Sequence, residues 1–214
     1  MINLNFIWFL IAIIFSSFIE ARPVSYPGGL TLMLMNDTDK NSVHAHYSPT
    51  SHISLGYKFE YWRENQFTFN GIQMNNLIKR WNKPQSQANL YVKSAIGSAF
   101  SDKGKFENKN NISGFLGIST DWETQRYFIG YENRFTEAGK IDRFFMQSIH
   151  LGITPYIGNY GDLHTWIMIK ATDTSGDNRG MDITPHFRFF KGIHLLEVGA
   201  NLKGKAMLNY IYRY

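Results

Sequence analysis

Cysteine is absent from the 214 residues of the chain. The protein can therefore contain no disulfide, no thiolate metal site and no lipid-modified amino-terminal cysteine. Its stability must come from packed side chains or from surrounding lipid.

Charge is also scarce, since only 18% of the residues are charged and the formal net charge is +5. Removal of an amino-terminal leader that contains Glu20 would raise the net charge to about +6. The Lys and Arg residues stand singly along the chain. Nucleic-acid binding needs a concentrated basic patch. The sequence therefore excludes nucleic acid as a partner.

Long apolar runs are missing after the first 21 residues. The only such run extends from Phe6 to Phe15, and Ser16, Ser17 and Ala21 follow it. An apolar run ending in small residues is typical of a secretory signal peptide. The run is shorter than the roughly 20 residues of a transmembrane helix. The sequence therefore predicts a signal peptide over residues 1–21 and one exported domain over 22–214, with an uncleaved amino-terminal anchor as the alternative.

Aromatic residues and period-two alternation are abundant in the rest of the chain. Aromatic residues make up 16% of the sequence, and no window shows a sustained helical period. Alternation of apolar and polar residues indicates half-buried strands. Twelve segments are predicted as strands, with ten strands as the alternative count: 30–36, 42–48, 52–62, 67–80, 88–100, 112–123, 126–136, 142–154, 162–171, 180–190, 193–201 and 205–214.

The last ten residues, KAMLNYIYRY, form the most regular of these segments. Tyr214, Tyr212 and Tyr210 fall on one face of the predicted strand, while Lys205 and Arg213 fall on the other. Together with the leader and the repeated strands, this segment resembles the carboxyl terminus of outer-membrane β-barrels of Gram-negative bacteria. That resemblance implies an all-β antiparallel transmembrane barrel in the bacterial outer membrane, with membrane lipid and the barrel assembly machinery as partners.

Three further segments, RPVSYPGG, MNDTDKNSVHAHYSP and PYIGNYGDLHTW, are similar to an uncharacterised family of exported proteobacterial proteins. This similarity implies no activity, because one barrel architecture serves pores, enzymes, adhesins and structural proteins. A soluble periplasmic β-sandwich or binding barrel is the alternative fold.

Charged residues recur, on nearly every predicted strand, on the face opposite the apolar stripe. In a barrel this face lines the lumen, where charges of opposite sign must pair because an unpaired buried charge is expensive. Lys93, Asp121, Asp182 and His186 belong to this face, and Phe128 and Trp166 should help to fill the space. The principal residues predicted to line the lumen are Lys58, Glu60, Glu132, Arg134, Lys170, Arg188, Glu197 and Arg213.

Two residue sets suggest more specific chemistry. His44 and His46 fall on the same face of their strand, and with His164 they form an alternative zinc or copper site. His46 and Ser48 resemble the His-x-Ser dyad of outer-membrane phospholipases and lipid A deacylases, in which a histidine activates a serine. Because both residues are predicted to face inward, away from lipid, this enzymatic interpretation is also an alternative.

A polar stretch from Asn70 to Asn76, followed by Arg80 and Asn82, could hydrogen-bond a solute on the inner wall. Gly71 is predicted to mark a bulge there. The preferred function is an outer-membrane barrel without a cofactor, either structural or a narrow channel for a small polar solute. The interior of a twelve-stranded barrel is intermediate in width. Barrels of about eight strands are filled by side chains, whereas barrels of about 16 to 18 strands leave an open channel.

Overall fold

The computed structural model describes residues 23–101, 108–159, 161–176 and 180–214. Twelve strands form one closed antiparallel barrel, so the predicted fold class and the preferred strand count are confirmed. The predicted signal peptide lies outside the described residues. The strands are β1 (Leu30–Asn36), β2 (Lys40–Tyr47), β3 (Ile53–Trp62), β4 (Phe67–Lys83), β5 (Ser86–Ser101), β6 (Lys109–Thr124), β7 (Tyr127–Glu137), β8 (Arg143–Ile153), β9 (His164–Thr174), β10 (Asp182–Lys191), β11 (His194–Ala200) and β12 (Ala206–Arg213).

Pairing between the first and last strands closes the barrel. Each strand pairs with its neighbours in sequence, and β1 also pairs with β12, with Thr31 opposite Arg213. The backbone groups of Leu30 and Tyr214 exchange two hydrogen bonds of 2.7 and 2.8 Å. Closure removes the free strand edges that would otherwise present unpaired backbone groups.

Both described ends of the chain lie at the same end of the barrel. We call this end, which carries residues 23–29 and Tyr214, the inner mouth, and the opposite end the outer end. The turn between β10 and β11 at the inner mouth contains Gly192, whose φ of 59° suits a residue without a side chain. No helix in the described ranges is long and apolar enough to cross a membrane.

The outward face of every strand exposes large apolar side chains. In β12, Leu208 is 50% exposed whereas Met207 and Asn209 are buried, as the alternation of this segment predicts. Exposed apolar residues, one from each strand in order, are Leu32, Val43, Leu55, Ile72, Ile96, Leu116, Ile129, Ile149, Ile169, Phe187, Val198 and Leu208. The barrel is therefore surrounded by an apolar band.

The alternation in β4 changes at Ile78 and not at Gly71. Gly71 pairs regularly with Lys58 and Gly97, while the register shift lies between Leu77 and Lys79. The prediction of a bulge at Gly71 is therefore wrong. A side chain at Gly71 would meet the carbonyl oxygen of Ile96 at 2.5 Å, so close approach of the two strands explains this glycine.

The bulge at Ile78 determines which residues of β4 face the lumen near the inner mouth. Before it, Leu77 is buried inside the barrel. After it, Arg80 turns inward and donates a hydrogen bond to Asn89, while Trp81 is exposed on the outside. The extra residue therefore exchanges the faces and places a guanidinium group inside the barrel.

Candidate functional site

The centre of the lumen is built around the carboxylate of Glu60 on β3. Arg134 on β7 donates to both of its oxygens, with both distances 2.7 Å. The ammonium groups of Lys58 and Lys40 lie 3.3 and 3.8 Å from Oε1 of Glu60, and the indole of Trp62 donates to Oε2 at 3.2 Å. Because β3 and β7 are four positions apart around the barrel, the Arg134–Glu60 pair crosses the lumen.

Two further ion pairs occupy the inner face. Arg188 donates to Glu197 at 2.9 Å, and Asn209 donates to the other oxygen of the same carboxylate at 2.9 Å. Lys93 lies 2.8 Å from Glu132. Opposite charges thus meet on neighbouring or nearly neighbouring strands, which limits the penalty of holding them away from water.

The remaining predicted lumen residues also lie on the inner face. Arg213 is 7% exposed near the inner mouth. Lys170 on β9 reaches the carboxylate of Asp37, which lies in the turn between β1 and β2. The structure therefore brings all eight sequence-predicted lumen residues to the interior, where they form several separate contacts along the axis. The sequence reasoning did not assign a lumen role to Asp37 or to Lys40.

Asp37 fixes the turn between β1 and β2 through a contact that crosses the lumen near the outer end. Burial by itself would raise the pKa of Asp37, but the charge and hydrogen bond of Lys170 outweigh burial and hold this pKa well below its usual range. Its other oxygen accepts a hydrogen bond from the backbone of Thr38 at 2.9 Å. Arg63 donates to the carbonyl oxygen of Asp37 as well. The turn is thereby anchored to the far wall.

This depressed pKa predicts a pH dependence for Asp37→Asn. The stabilisation by the charged carboxylate is complete above the unfolded-state pKa of about 4 and is lost as the pH falls towards the lower folded-state pKa. We expect D37N to lose about 2 kcal/mol of unfolding free energy at pH 7, and the difference from wild type should shrink below about pH 4. Urea unfolding in lipid vesicles at pH 7 and pH 3 measures both values. A difference that is the same at both pH values would contradict this role of the Asp37 charge.

The outer end is closed by apolar side chains. The rings of Trp62 on β3 and Phe144 on β8 meet edge to face, with centroids 4.7 Å apart. Ala138 and Ile141, from the turn between β7 and β8, are buried beside them. The full cluster, which we call the outer plug, consists of Trp62, Phe67, Ala99, Ala138, Ile141 and Phe144, with Met146 packed against it.

The segment before β1 enters the inner mouth. Val24 is buried against Leu77 and Tyr91. The carbonyl oxygen of Pro23 accepts a hydrogen bond from the hydroxyl of Ser54 at 2.8 Å, and the backbone nitrogen of Ser25 donates to the hydroxyl oxygen of Ser48 at 3.0 Å. This segment therefore lines and narrows the inner part of the lumen.

The predicted histidine pair lies on the inner face, with the ring centroids of His44 and His46 4.5 Å apart. Both side chains are buried. His164, the third residue of the alternative metal site, lines the inner mouth instead. Within the described ranges no group of three or more His, Asp or Glu side chains is arranged to hold a metal ion.

The alternative catalytic pair, His46 and Ser48, also faces inward and is fully enclosed. The hydroxyl oxygen of Ser48 accepts the hydrogen bond from Ser25 described above. A lipid hydrolase must present its nucleophile to acyl chains. The position of these two residues therefore does not favour that chemistry.

The inner mouth contains a cavity of about 840 Å³. It extends around the barrel from Arg80 on β4 to Arg188 on β10 and Arg213 on β12. Trp166 and Phe190 contribute aromatic surface. The sequence had indicated Arg80 and Asn82 as solute-binding groups, but it could not show which other strands meet them.

Comparison with known proteins adds little to this geometry. No family model matches the chain, and no curated protein matches it. Among solved structures, LpxR from Salmonella typhimurium is similar with a TM-score of 0.47 and 9% identity, covering 87% of this chain and 99% of that one. OccK8 (OprE) from Pseudomonas aeruginosa is similar with a TM-score of 0.41 and 8% identity, covering 82% of this chain and 57% of that one.

Several residues of the site were missed by sequence reasoning. Ala138 and Ile141 fall in a predicted turn, and Val24 precedes the first strand, so strand alternation did not include them. Their apolar character among polar neighbours was the available signal. An apolar residue in a short turn of a barrel can fold back over the lumen, as Ala138 and Ile141 do.

Proposed function

We propose that this protein is a bacterial outer-membrane β-barrel with a lumen closed to solutes, which acts as a structural and not a conducting component of the membrane. One observation is the main support for a closed lumen. Trp62 and Phe144 are in contact although their strands are five positions apart around the twelve-stranded barrel. Side chains from nearly opposite walls therefore meet at the outer end.

The surface of the barrel supports a membrane location. Apolar side chains are exposed on all twelve strands, and in water such a band would promote aggregation. Outward-facing aromatic residues lie towards both ends, as expected where a barrel meets the two membrane interfaces. They are Tyr47, Trp81, Trp122 and Tyr127 near the inner mouth, and Phe100, Phe135 and Phe145 near the outer end.

Two layers of different chemistry support closure. The outer plug is apolar, and an apolar constriction excludes ions because it does not hold water. Beneath it, the charges around Glu60 are paired with one another at 2.7 to 3.8 Å. A permeating ion would have to break these pairs. The alternative of a narrow solute channel requires that both layers move.

Planar-bilayer recording tests the proposal. Protein extracted by detergent from the outer-membrane fraction should give no steady channels, because the outer plug and the Glu60 pairs span the lumen. A large porin from the same membranes, inserted in parallel, serves as the control for insertion. Steady conductance of the purified protein would overturn the closed lumen. Recovery from the soluble periplasmic fraction, without detergent, would favour the soluble binding barrel.

A further inference from the structure

We propose that the inner mouth is a binding site for a small organic anion, in which a phosphate or carboxylate group is attached to a flat ring. The site is the cavity of about 840 Å³ at the end of the barrel that carries both described chain ends. A cavity of this size suits a small-molecule ligand.

Positive charge dominates the wall of this cavity. Among the described lining residues, four carry a permanent positive charge and one, Glu123, carries a negative charge. The cationic residues come from three strands on different sides of the barrel. They are Arg80, Lys83, Arg188 and Arg213. The carboxylate of Glu197 offsets the charge of Arg188, but the wall keeps an excess of positive charge, which attracts ligands of the opposite sign.

Two of these guanidinium groups are held in place by hydrogen bonds from their Nε atoms. Nε of Arg80 donates to Oδ1 of Asn89 at 2.7 Å, and Asn89 donates in turn to Asp121 at 2.6 Å. Nε of Arg188 donates to Glu197 at 2.9 Å. In the described part of the chain, the two terminal nitrogens of Arg80 make no hydrogen bond to protein. Because it is fixed through Nε, the guanidinium of Arg80 keeps its outer edge for bidentate contact with phosphate or carboxylate.

Aromatic side chains supply the second part of the site. Trp166 and Phe190 line the cavity on β9 and β10, and Tyr156 lines it from the connection between β8 and β9. The ring of Trp166 stands edge-on to Phe128, with centroids 6.5 Å apart. Apolar ring faces beside fixed cations suit a ligand with both a flat ring and an anionic group.

Because the lumen is proposed to be closed, the cavity opens only at the inner mouth. Val24, which lines the cavity, is buried against Leu77 and Tyr91, and the outer plug closes the far end of the barrel. A ligand therefore enters and leaves through the inner mouth. This entry path of the ligand rests on the proposed function, whereas binding itself does not. Conductance would overturn the closed lumen without affecting a binding measurement.

Calorimetric titration of the detergent-solubilised full protein with 4-nitrophenyl phosphate tests the site. We expect saturable binding that weakens as salt is added, because the contacts are ionic. The matched neutral probe, 4-nitrophenyl β-glucoside, presents the same ring without the charge and should bind at least about tenfold more weakly. No saturable binding of the phosphate, or equal binding of both probes, would overturn the proposal.

Variants then locate the binding. Arg80→Gln combined with Lys83→Gln should weaken binding of 4-nitrophenyl phosphate at least about tenfold. Lys79→Gln is the matched control, since Lys79 is a cation on the same strand whose ammonium lies over the outward-facing ring of Trp81. Lys83→Gln alone, at an exposed position, provides a second reading and should weaken binding about threefold. Unchanged binding in folded variants would overturn the assignment.

A competition experiment tests the requirement for the ring. Phenyl phosphate, which keeps both the flat ring and the anionic group, should displace 4-nitrophenyl phosphate. Glucose 6-phosphate carries the anionic group without a flat ring and should compete at least about tenfold more weakly. Failure of phenyl phosphate to compete, or equal competition by both compounds, would overturn the proposal.

Discussion

Glu60→Gln is expected to reduce the unfolding free energy by about 3–5 kcal/mol, because it leaves buried cations facing one another without their carboxylate. Glu60 is fully buried, and Arg134, Lys58 and Lys40 all lie within 4 Å of its oxygens. Urea unfolding in lipid vesicles, followed by tryptophan fluorescence, measures the loss.

Glu137→Gln is the matched control for this substitution. Glu137 also pairs with an arginine, Arg143, but that pair is exposed at the outer end. Exposed pairs contribute about 0–1 kcal/mol, so the control should be nearly neutral. Equal losses in E60Q and E137Q would show that the pairing of Glu60 does not stabilise the barrel.

A double variant separates pairing from simple burial. Arg134→Met in the Glu60→Gln background removes the cation that the first substitution leaves uncompensated. We expect the double variant to lose at least about 1 kcal/mol less than the sum of the two single losses. Strictly additive losses would contradict a direct interaction across the lumen.

Simultaneous replacement of Trp62 and Phe144 by alanine is expected to turn a silent barrel into a conducting one. These rings provide the contact between β3 and β8 in the outer plug. Their removal lets water reach the charged layer below, and a hydrated constriction can pass ions. The openings should be small, because the Arg134–Glu60 pair remains. Planar-bilayer recording detects them, and the same variant should lose several kcal/mol of stability.

Trp122→Ala combined with Phe145→Ala is the control for this experiment. Both side chains are of the same type as those in the plug, but each is 39% exposed on the outside of the barrel. Phe145 is the immediate neighbour of Phe144 on β8, so the control changes the same strand on its other face. The control should remain silent. A folded plug variant that is also silent would show that the charged layer alone closes the lumen.

The sequence by itself determined the strands and their two faces. In β3, Leu55 and Tyr57 are exposed outside while Ser54 and Glu60 are buried inside, as the alternation predicts. The same holds for β7 and β12. Alternation can be read locally because successive side chains of any strand point to opposite sides. The existence of the twelve strands follows from this property, and so do their two faces, except in β4 beyond the bulge at Ile78.

Tertiary structure alone decided which side chains meet. Glu60 and Arg134 are 74 residues apart, and their contact depends on strand order and on the relative shift of every strand between them. A single bulge at Ile78 places Arg80 inside the barrel, whereas the sequence predicted the bulge at Gly71. Closure likewise depends on turn residues such as Ile141, which obey no strand period. Alternation specifies a face, whereas register and closure, which involve the whole sheet, specify partners.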